Sequence, residues 1–426
     1  MKSTRAGNLG SSFARASEPV WSRREFLRNA GVGVTALTVG SSLLAACAGG
    51  EEGGGGGGKK GEPFKLGALI PITGIETHVG LSMKVSTQIA VDEINAKGGV
   101  LGRPIRLIVE DEASDPAIAV QKARKLIRED GVSFIVGTLI SAVRNAVVKV
   151  TEPEKVPLFN PTYYEGGLCN KYFFSTGALP NQQIDPFVPW ITENVGKSFY
   201  LIGSDYVWPH GSFAHLKEDV QKAGGTILGE EYVPFGKTDF SAEIQRILGA
   251  NPEVLYPLVA GVDGITFWKQ LAGYPFKGAR VSHSVSEAIL QGLDADTAKG
   301  IISAAPYFMV VDNPANKAFI DKYQAKSGAP YVDTFGEGLY DAVHLFALGA
   351  EKAGSLDTEK LIQGLKGVGF DAPQGHITID PTTQHTTHAF HVAEATGNQW
   401  NSFNIVHTEN EIAPASDCGK IPGITA

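Results

Sequence analysis

Hydroxyl-bearing, aromatic and small residues recur in short segments that follow apolar runs of the chain. These segments are Pro71-Ile-Thr-Gly74, Gly137-Thr-Leu-Ile-Ser141, Asn160-Pro-Thr-Tyr-Tyr164, Gly203-Ser-Asp-Tyr-Val-Trp208 and Ala260-Gly-Val-Asp263. Aromatic walls with a few placed hydrogen-bonding groups are typical of pockets that bind small molecules. The residue types therefore predict non-covalent capture of a small polar solute.

The arrangements that metal or covalent chemistry requires are not recognisable. His385, His388 and His391 resemble metal ligands. On a strand, however, His388 and His391 point to opposite faces, and no cysteine or clear carboxylate accompanies them. The sequence also contains no phosphate-binding loop, nucleophile elbow, H-E-x-x-H motif or full dinucleotide fingerprint. We therefore expect no metal site, no cofactor and no enzymatic activity.

The composition is that of an acidic globular protein. The chain has 426 residues, 43% of them hydrophobic and 19% charged, and a formal net charge of −8. This length suggests two or three domains. An acidic chain without a basic stripe argues against nucleic-acid binding, because phosphate recognition needs clustered Lys and Arg.

Residues 1–46 have the features of an export signal that ends at a lipidation site. Ser22-Arg23-Arg24-Glu25-Phe26-Leu27 is a twin-arginine signature, and an uncharged stretch follows it. Leu44-Ala45-Ala46-Cys47 resembles a lipobox, in which Cys47 receives the lipid. The alternative is an N-terminal membrane anchor that is never cut. Residues 1–46 carry six Lys and Arg against two Asp and Glu, so cleavage would change the net charge from −8 to −12.

Residues 47–62 are expected to form a tether. They include an unbroken glycine run from Gly53 to Gly58, which is typical of a flexible linker. A lipid followed by a tether predicts an exported protein that is held at the outer face of the cell membrane or in the periplasm.

From Pro63 onward, apolar runs alternate with helical patterns. Strands are expected at 66–70, 105–110, 134–136, 156–159, 199–202, 226–233 and 254–259, and helices at 79–96, 115–130, 213–222 and 240–248. The alternation predicts an α/β protein with parallel sheets covered by helices, and its two successive runs predict two lobes. Ligands of such sheets bind beyond the carboxyl ends of the strands, where the polar segments lie.

Five motifs in order resemble those of a known family. They are Tyr164-Glu165-Gly166, Thr176-Gly-Ala-Leu-Pro-Asn-Gln182, Ile202-Gly-Ser-Asp-Tyr-Val-Trp-Pro209, Ala305-Pro-Tyr-Phe308 and Asp371-Ala-Pro-Gln-Gly375. Over about residues 64–403 the chain is similar to the type I periplasmic binding proteins, the group that contains the leucine/isoleucine/valine-binding proteins. Within that group it resembles the urea- and short-chain-amide-binding branch most.

The resemblance implies two Rossmann-like lobes that are joined by a three-segment hinge and close on a ligand. The crossovers fall near residues 177–180, 304–305 and 375–376. Lobe 1 would comprise residues 63–180 and 306–375, lobe 2 would comprise 181–305 and 376–410, and 411–426 would form a C-terminal tail.

The resemblance also implies a function. The chain would be the extracytoplasmic substrate-binding lipoprotein of an ABC importer, and it would hand its ligand to the permease. That ligand would be urea, a short amide, or a branched-chain or neutral amino acid. The alternative is a ligand-sensing receptor of the same fold that acts on a membrane signalling partner.

The family's ligand-contacting positions can be carried over to this chain. Ser141 would face the polar head of the ligand, Thr162 would be a second contact from lobe 1, and Tyr206 and Trp208 would close over the ligand from lobe 2. The other expected ligand-binding positions are Asp263, Ser284, Leu139 and Asn160. Structural roles without a ligand contact remain possible alternatives. Ser141 and Thr162 could cap helices, Tyr206 and Trp208 could be core residues, and Asp263 could be a surface residue.

Two of these positions depart from the urea and amide branch, because Leu139 and Asn160 stand where that branch commonly has aromatic residues. Their loss suggests a wider or differently polar pocket. Asp263 could pair with an ammonium group or accept from an amide N–H, which would favour an amino acid or an amine.

Cys169 and Cys418 are the only thiols that remain after lipidation of Cys47. In an oxidising compartment they could form a disulfide that pins the C-terminal tail onto lobe 1, or they could remain two free thiols. The sequence is compatible with both.

Overall fold

The computed structural model describes residues 61–422. The strands are β1 (Phe64–Ile70), β2 (Ile105–Asp111), β3 (Ile135–Gly137), β4 (Leu158–Asn160), β5 (Phe173–Ser175), β6 (Ser198–Ser204), β7 (Thr226–Val233), β8 (Val254–Leu258), β9 (Ala279–Val281), β10 (Ile301–Ala305), β11 (Gly369–Ala372), β12 (Gly375–Thr378), β13 (His388–Ala395) and β14 (Phe403–Ile412).

Helices alternate with these strands along most of the chain. They are α1 (Thr77–Ala96), α2 (Pro116–Arg128), α3 (Ser141–Thr151), α4 (Pro180–Asn194), α5 (Val207–Lys222), α6 (Ser241–Ala250), α7 (Gly261–Leu271), α8 (Glu287–Gln291), α9 (Ala295–Ala298), α10 (Pro314–Ser327), α11 (Thr334–Ala353) and α12 (Thr358–Leu365).

The strands form two large sheets and a hairpin. The first sheet has the order β2-β1-β3-β4-β5, and all of its neighbouring strands are parallel. The second has the order β14-β13-β10-β9-β8-β6-β7 and is parallel except that β13 runs antiparallel to β10 and β14. Strands β11 and β12 pair with each other. The expected α/β fold with two parallel-sheet lobes is confirmed.

The chain passes between the two large sheets more than once. It leaves the first sheet after β5 and builds β6 to β10 of the second. Helix α11 then returns to the first sheet, where the Phe346 ring lies 5.0 Å from that of Phe64 and 4.5 Å from that of Phe134. Strands β13 and β14 finally complete the second sheet. This path has the three crossings that the resemblance implies, while the exact lobe boundaries stay predictions.

Most expected elements are present with shifted ends. Asp115 caps α2 as expected: its side chain accepts hydrogen bonds from the N–H groups of Ala117 and Ile118. Helix α5, expected at 213–222, begins six residues earlier, at Val207. Pro209 is compatible with this start, because N–H groups in the first turn of a helix need no intrahelical partner.

Several expectations fall on residues outside the described range. They are the twin-arginine signal, the lipidation of Cys47 and the glycine tether up to residue 60. Within residues 61–422, no helix is both long enough and apolar enough to span a membrane.

Candidate functional site

A cavity opens where the carboxyl ends of strands from both sheets face each other. It contains about 560 Å³ of empty space, including its opening to solvent. Its aromatic lining residues are Tyr163, Tyr206, Trp208, Trp268 and Phe335, and its polar ones are Glu76, His78, Ser141, Thr162 and Ser284. This combination suits a small solute that has an apolar body and a polar head.

Three helices begin at the cavity without a side-chain cap. Helix α3 starts after Ile140, α5 after Tyr206 and α7 after Ala260, and none of these three residues accepts a cap hydrogen bond. The first N–H groups of an α-helix lack intrahelical partners, and they carry the positive end of the helix dipole. The cavity therefore presents N–H donors to a carboxylate or another acceptor of a ligand.

Ser141 is held by a buried ion pair. Its hydroxyl donates to Glu165 Oε2 at 2.6 Å and accepts from Arg144 Nη1 at 3.0 Å. Arg144 and Glu165 also pair directly at 2.7 Å, and their side chains are only 1% and 2% exposed. The Arg144 guanidinium lies 4.2 Å from the centre of the Tyr164 ring. This network fixes the rotamer of Ser141 at the wall of the cavity.

Thr162 lies at the cavity, but the hydrogen of its hydroxyl group is already donated within the protein. It donates to the carbonyl of Thr138 at 3.1 Å, which ties the loop after β4 to the loop after β3. Asn160 stands behind it, fully buried, and donates to the carbonyl of Thr162 at 2.6 Å. Thr162 can still offer its hydroxyl oxygen as an acceptor to a ligand.

An aromatic wall spans the two lobes. The Tyr163 ring, from the loop after β4, lies 5.5 Å from Trp208 at the start of α5 and 5.2 Å from Phe335 at the start of α11. Tyr206 extends the wall, with its ring 6.2 Å from that of Trp208. The His283 ring meets the Trp208 ring edge-on at 5.5 Å, and burial lowers the pKa of His283 to about 3, so this base is neutral. The wall is uncharged and suits an apolar ligand body.

Glu76 is the acidic residue of the cavity lining. It precedes α1 and is 7% exposed, and its Oε2 lies 3.7 Å from Nδ1 of His78. Burial, with added repulsion from Asp263 and Asp333, raises the pKa of Glu76 to about 8. Burial also lowers the pKa of His78 to about 4. Both side chains are therefore mainly uncharged near pH 7.

The structure brings most of the expected site residues together. Those that line the cavity are Leu139, Ser141, Thr162, Tyr206, Trp208 and Ser284. Asp263 and Asn160 do not line it. The Asp263 carboxylate turns away to accept from the N–H of Gly236 at 2.7 Å, and the Asn160 amide is used within lobe 1.

The other lining residues were missed by the sequence analysis, although some carried a signal. Glu76 and His78 directly follow the flagged segment Pro71-Ile-Thr-Gly74, and Tyr163 lies within another flagged segment. Trp268 lies in the second turn of α7, and Phe335 comes from α11, which follows no strand of the first sheet in sequence. No local pattern points to these last two residues.

Cys169 and Cys418 form a disulfide in the structure, with their Cα atoms 5.8 Å apart. The tail that carries Cys418 also contacts the hinge region, where Asn181 donates to the carbonyl of Ala413 and accepts from the N–H of Ala415. The tail is thus bonded both to the start of α4 and to the loop that precedes β5.

The three histidines near the C-terminus are each engaged in hydrogen bonds. His385 Nε2 meets the Tyr164 hydroxyl, His388 Nδ1 meets the Gln374 side chain, and His391 Nδ1 meets the Thr408 hydroxyl. Over residues 61–422, no three His, Cys, Asp or Glu residues are grouped to hold a metal ion.

Comparisons with known proteins identify relatives over most of the chain. Residues 63–399 match the family model described as periplasmic binding protein. The leucine-, isoleucine-, valine-, threonine-, and alanine-binding protein of Pseudomonas aeruginosa is 27% identical over 337 residues, which are 75% of this chain and 86% of that protein.

Two solved structures are similar in fold. An ABC transporter solute-binding protein of R. palustris in complex with benzoate has a TM-score of 0.74 at 19% identity and covers 84% of this chain and 99% of its own. A second, from Rhodopseudomonas palustris BisB5 in complex with 3,4-dihydroxy benzoic acid, has a TM-score of 0.74 at 24% identity and covers 85% and 99%.

Proposed function

Because the chain belongs to the periplasmic binding protein family, we propose that it captures a small amphiphilic solute between its two lobes for an ABC importer. The observation that carries the proposal is the cavity between the lobes. It combines an aromatic wall with three uncapped helix starts. Binding in such a cavity needs no catalytic group, and the relatives are binding proteins rather than enzymes.

The polar head of the ligand is proposed to be a carboxylate. Ser141 lies at the start of α3, and the Arg144 guanidinium stands directly behind its hydroxyl. A carboxylate here would meet free helix N–H groups at the positive end of the α3 dipole. Amino acids and benzoates, which the relatives bind, both carry this group.

The apolar body of the ligand is proposed to lie against Tyr163, Trp208 and Phe335. Aliphatic and aromatic side chains both fit such a wall, because aromatic rings bury large apolar areas. Urea has no apolar body, and the relatives described above give no support for the urea- and amide-binding branch. Among the ligands that the sequence suggested, this leaves the branched-chain and neutral amino acids.

Delivery to the membrane is a separate part of the proposal. The signature in residues 1–46 and Cys47 support a lipid-anchored protein that is exported in the folded state. A Cys47→Ser change would then release the protein from membranes into the soluble fraction. Retention of this variant in the membrane fraction would contradict the lipid anchor.

A thermal-shift panel tests the ligand class. The panel contains leucine, valine, phenylalanine, benzoate, acetamide and urea. A ligand at one hundred times its dissociation constant stabilises the folded protein by about 2.7 kcal/mol, which raises the melting temperature measurably. We expect shifts with carboxylates that have an apolar body and none with urea or acetamide. A shift with urea or acetamide alone would contradict the proposed head-group.

A further inference from the structure

We propose that residues 413–422 form a strap that joins the two lobes in addition to the three crossings of the chain and limits how far the cleft can open. The strap begins where β14 of the second sheet ends. Within it, Cys418 is bonded covalently to Cys169, which precedes β5 of the first sheet. The proposal concerns the movement of the ligand-free protein and does not depend on which solute binds.

The first half of the strap is held to the second sheet through helix α4. Asn181 donates to the carbonyl of Ala413 at 2.8 Å and accepts from the N–H of Ala415 at 3.0 Å. Helix α4 packs on the second sheet, where the Phe187 ring lies 6.2 Å from the ring of Phe390 in β13. This part of the strap therefore moves with lobe 2.

The second half of the strap is held to the loop between β4 and β5 of the first sheet. Besides the disulfide to Cys169, the carbonyl of Cys418 accepts from the N–H of Gly167 at 2.7 Å. The backbone of Gly419 lies so close to Gly166 that a Cβ on Gly166 would be 2.0 Å from the Gly419 carbonyl oxygen. Cys418 is fully buried, so solvent does not reach this anchor. This part of the strap moves with lobe 1.

The chain between the two anchors is short. Ala415 and Cys418 form the ends of a turn, in which the N–H of Cys418 donates to the carbonyl of Ala415 at 3.0 Å. Fully extended, these three steps of the chain span at most about 10–11 Å. Opening that carries the two residues farther apart than this must break the hydrogen bonds between Asn181 and the strap. The strap therefore restricts opening at a cost that rises with the opening angle.

The end of the strap reaches a contact between the lobes. A Cβ on Gly167 would lie 3.7 Å from Cγ1 of Ile421, and a Cβ on Gly211 in α5 would lie 3.7 Å from Cδ1 of the same side chain. The Cβ on Gly211 would also lie 2.5 Å from Cβ of Glu165, whose carboxylate holds Ser141. Ile421 thus packs where lobe 1 meets α5, and opening of the cleft has to separate this contact.

Lengthening the strap tests the proposal while both cysteines stay in place. The segment Gly-Gly-Ser-Gly is inserted between Ser416 and Asp417, which are both exposed. It adds about 13–14 Å of reach between the two anchors. Small-angle scattering of the ligand-free protein should give a larger radius of gyration for this variant than for the wild type, because the lobes can separate farther.

The matched control carries the same insertion between Lys97 and Gly98, in the exposed turn between α1 and β2. It adds the same mass away from the strap, and its radius of gyration should stay at the wild-type value. Equal radii in the two insertion variants would overturn the proposal.

Cutting the covalent anchor is a second test. Cys169→Ser with Cys418→Ser should also enlarge the radius of gyration of the ligand-free protein. Because this variant loses stability as well, the control is Leu365→Ala in α12, which empties part of the core without touching the strap. This control should keep the wild-type radius. The same enlargement in both variants would assign the effect to lost stability and contradict the strap.

Ligand affinity provides a readout that a purely stabilising tail would not change. With a longer strap, a smaller share of the ligand-free protein has the lobes close together, so we expect the affinity for leucine to fall about threefold or more. The insertion between Lys97 and Gly98 should leave this affinity unchanged. If leucine does not bind the wild type, the ligand class proposed above fails, and the scattering comparison still decides whether the strap limits opening.

Discussion

At the scale of single residues, the wall of the cavity depends on a buried charge pair. Arg144 and Glu165 pair at 2.7 Å with almost no exposure and hold the Ser141 hydroxyl between them. Burying two charges costs much of what their attraction returns, so such a pair is a weak source of stability. Its evident role is to orient Ser141 at the start of α3.

Removing one partner of this pair should be costly. Glu165→Ala leaves the Arg144 charge buried and uncompensated, and we expect it to lower the free energy of unfolding by about 3–5 kcal/mol. Urea denaturation measures this change. The matched control is Glu154→Ala, which breaks an exposed pair with Arg128 and should cost less than about 1 kcal/mol. Equal losses in the two variants would contradict the role given to burial.

Trp208 tests the aromatic wall. Trp208→Ala should weaken ligand binding by about tenfold or more while the protein stays folded, because a buried aromatic anchor contributes much of the contact area. Titration together with circular dichroism measures both properties. Trp400→Ala changes a tryptophan that does not line the cavity and should leave the affinity unchanged. Unchanged affinity in Trp208→Ala would remove this residue from the site.

Sequence patterns located part of this site. The pattern marked the segments that contain Ser141, Thr162, Tyr206 and Trp208, and the resemblance to the periplasmic binding proteins marked these residues as ligand contacts. The structure places all four at the cavity. Asp263 was also expected there, and its position after β8 is correct, but its carboxylate turns to the N–H of Gly236. A strand-end pattern specifies which loop faces the cleft, while the direction of each side chain depends on contacts between loops that are distant in sequence.

At the scale of elements, the site consists of helix starts that follow parallel strands. Helices α3, α5 and α7 begin close to the ends of β3, β6 and β8, so N–H groups of their first turns meet at one cleft. In α7 the Val262 N–H already donates to the Ile75 carbonyl. The absence of side-chain caps at these three starts contrasts with α2, α10 and α11, which Asp or Asn residues cap. Uncapped donors at a cleft are available to a ligand.

Gly261 tests whether closure depends on close contact between elements of the two lobes. It has a φ of 53°, and a Cβ would overlap the Ile75 carbonyl. Gly261→Ala should therefore hinder closure and weaken binding by about tenfold or more. Calorimetric titration measures the change. Gly249→Ala in α6, where a Cβ meets nothing within 4 Å, should leave binding unchanged and stabilise the fold by up to about 1 kcal/mol. Unaltered binding in Gly261→Ala would contradict this closure contact.

The long periodic elements were predictable from sequence, and the short ones were not. The Asp115-Pro116 start of α2 and the bounds of β7 were predicted correctly, because local sequence signals specify them. The short elements β9, α8 and α9 and the β11–β12 hairpin carry too few residues for a period, and pairing with neighbours defines them. The position of helix α11 on the first sheet could not be predicted from local sequence either, because it depends on packing against Phe64 and Phe134.

At the scale of the whole molecule, the C-terminal tail closes a loop across the fold. The Cys169–Cys418 disulfide joins residues 249 positions apart. A cross-link over so long a loop restricts the unfolded chain strongly. Hydrogen bonds from Asn181 to the tail add contacts at the start of α4, next to the first crossing between the sheets.

Loss of this disulfide should destabilise the protein. We expect Cys169→Ser with Cys418→Ser to lower the free energy of unfolding by about 2–5 kcal/mol. Denaturation of the wild type with and without reductant should give a similar difference. Alkylation before reduction should leave the masses of the peptides that carry Cys169 and Cys418 unchanged. Two alkylated sites in the unreduced protein would contradict the disulfide.

The central claim is that the two lobes capture a solute that carries a carboxylate beside an apolar body. Isothermal titration of the protein without residues 1–60 tests it most directly, with leucine, isoleucine, valine, phenylalanine and benzoate set against acetamide and urea at pH 7.5. The account predicts micromolar or tighter binding of at least one of the carboxylates, and no binding of acetamide or urea. Binding of acetamide or urea with no binding of any carboxylate would contradict it.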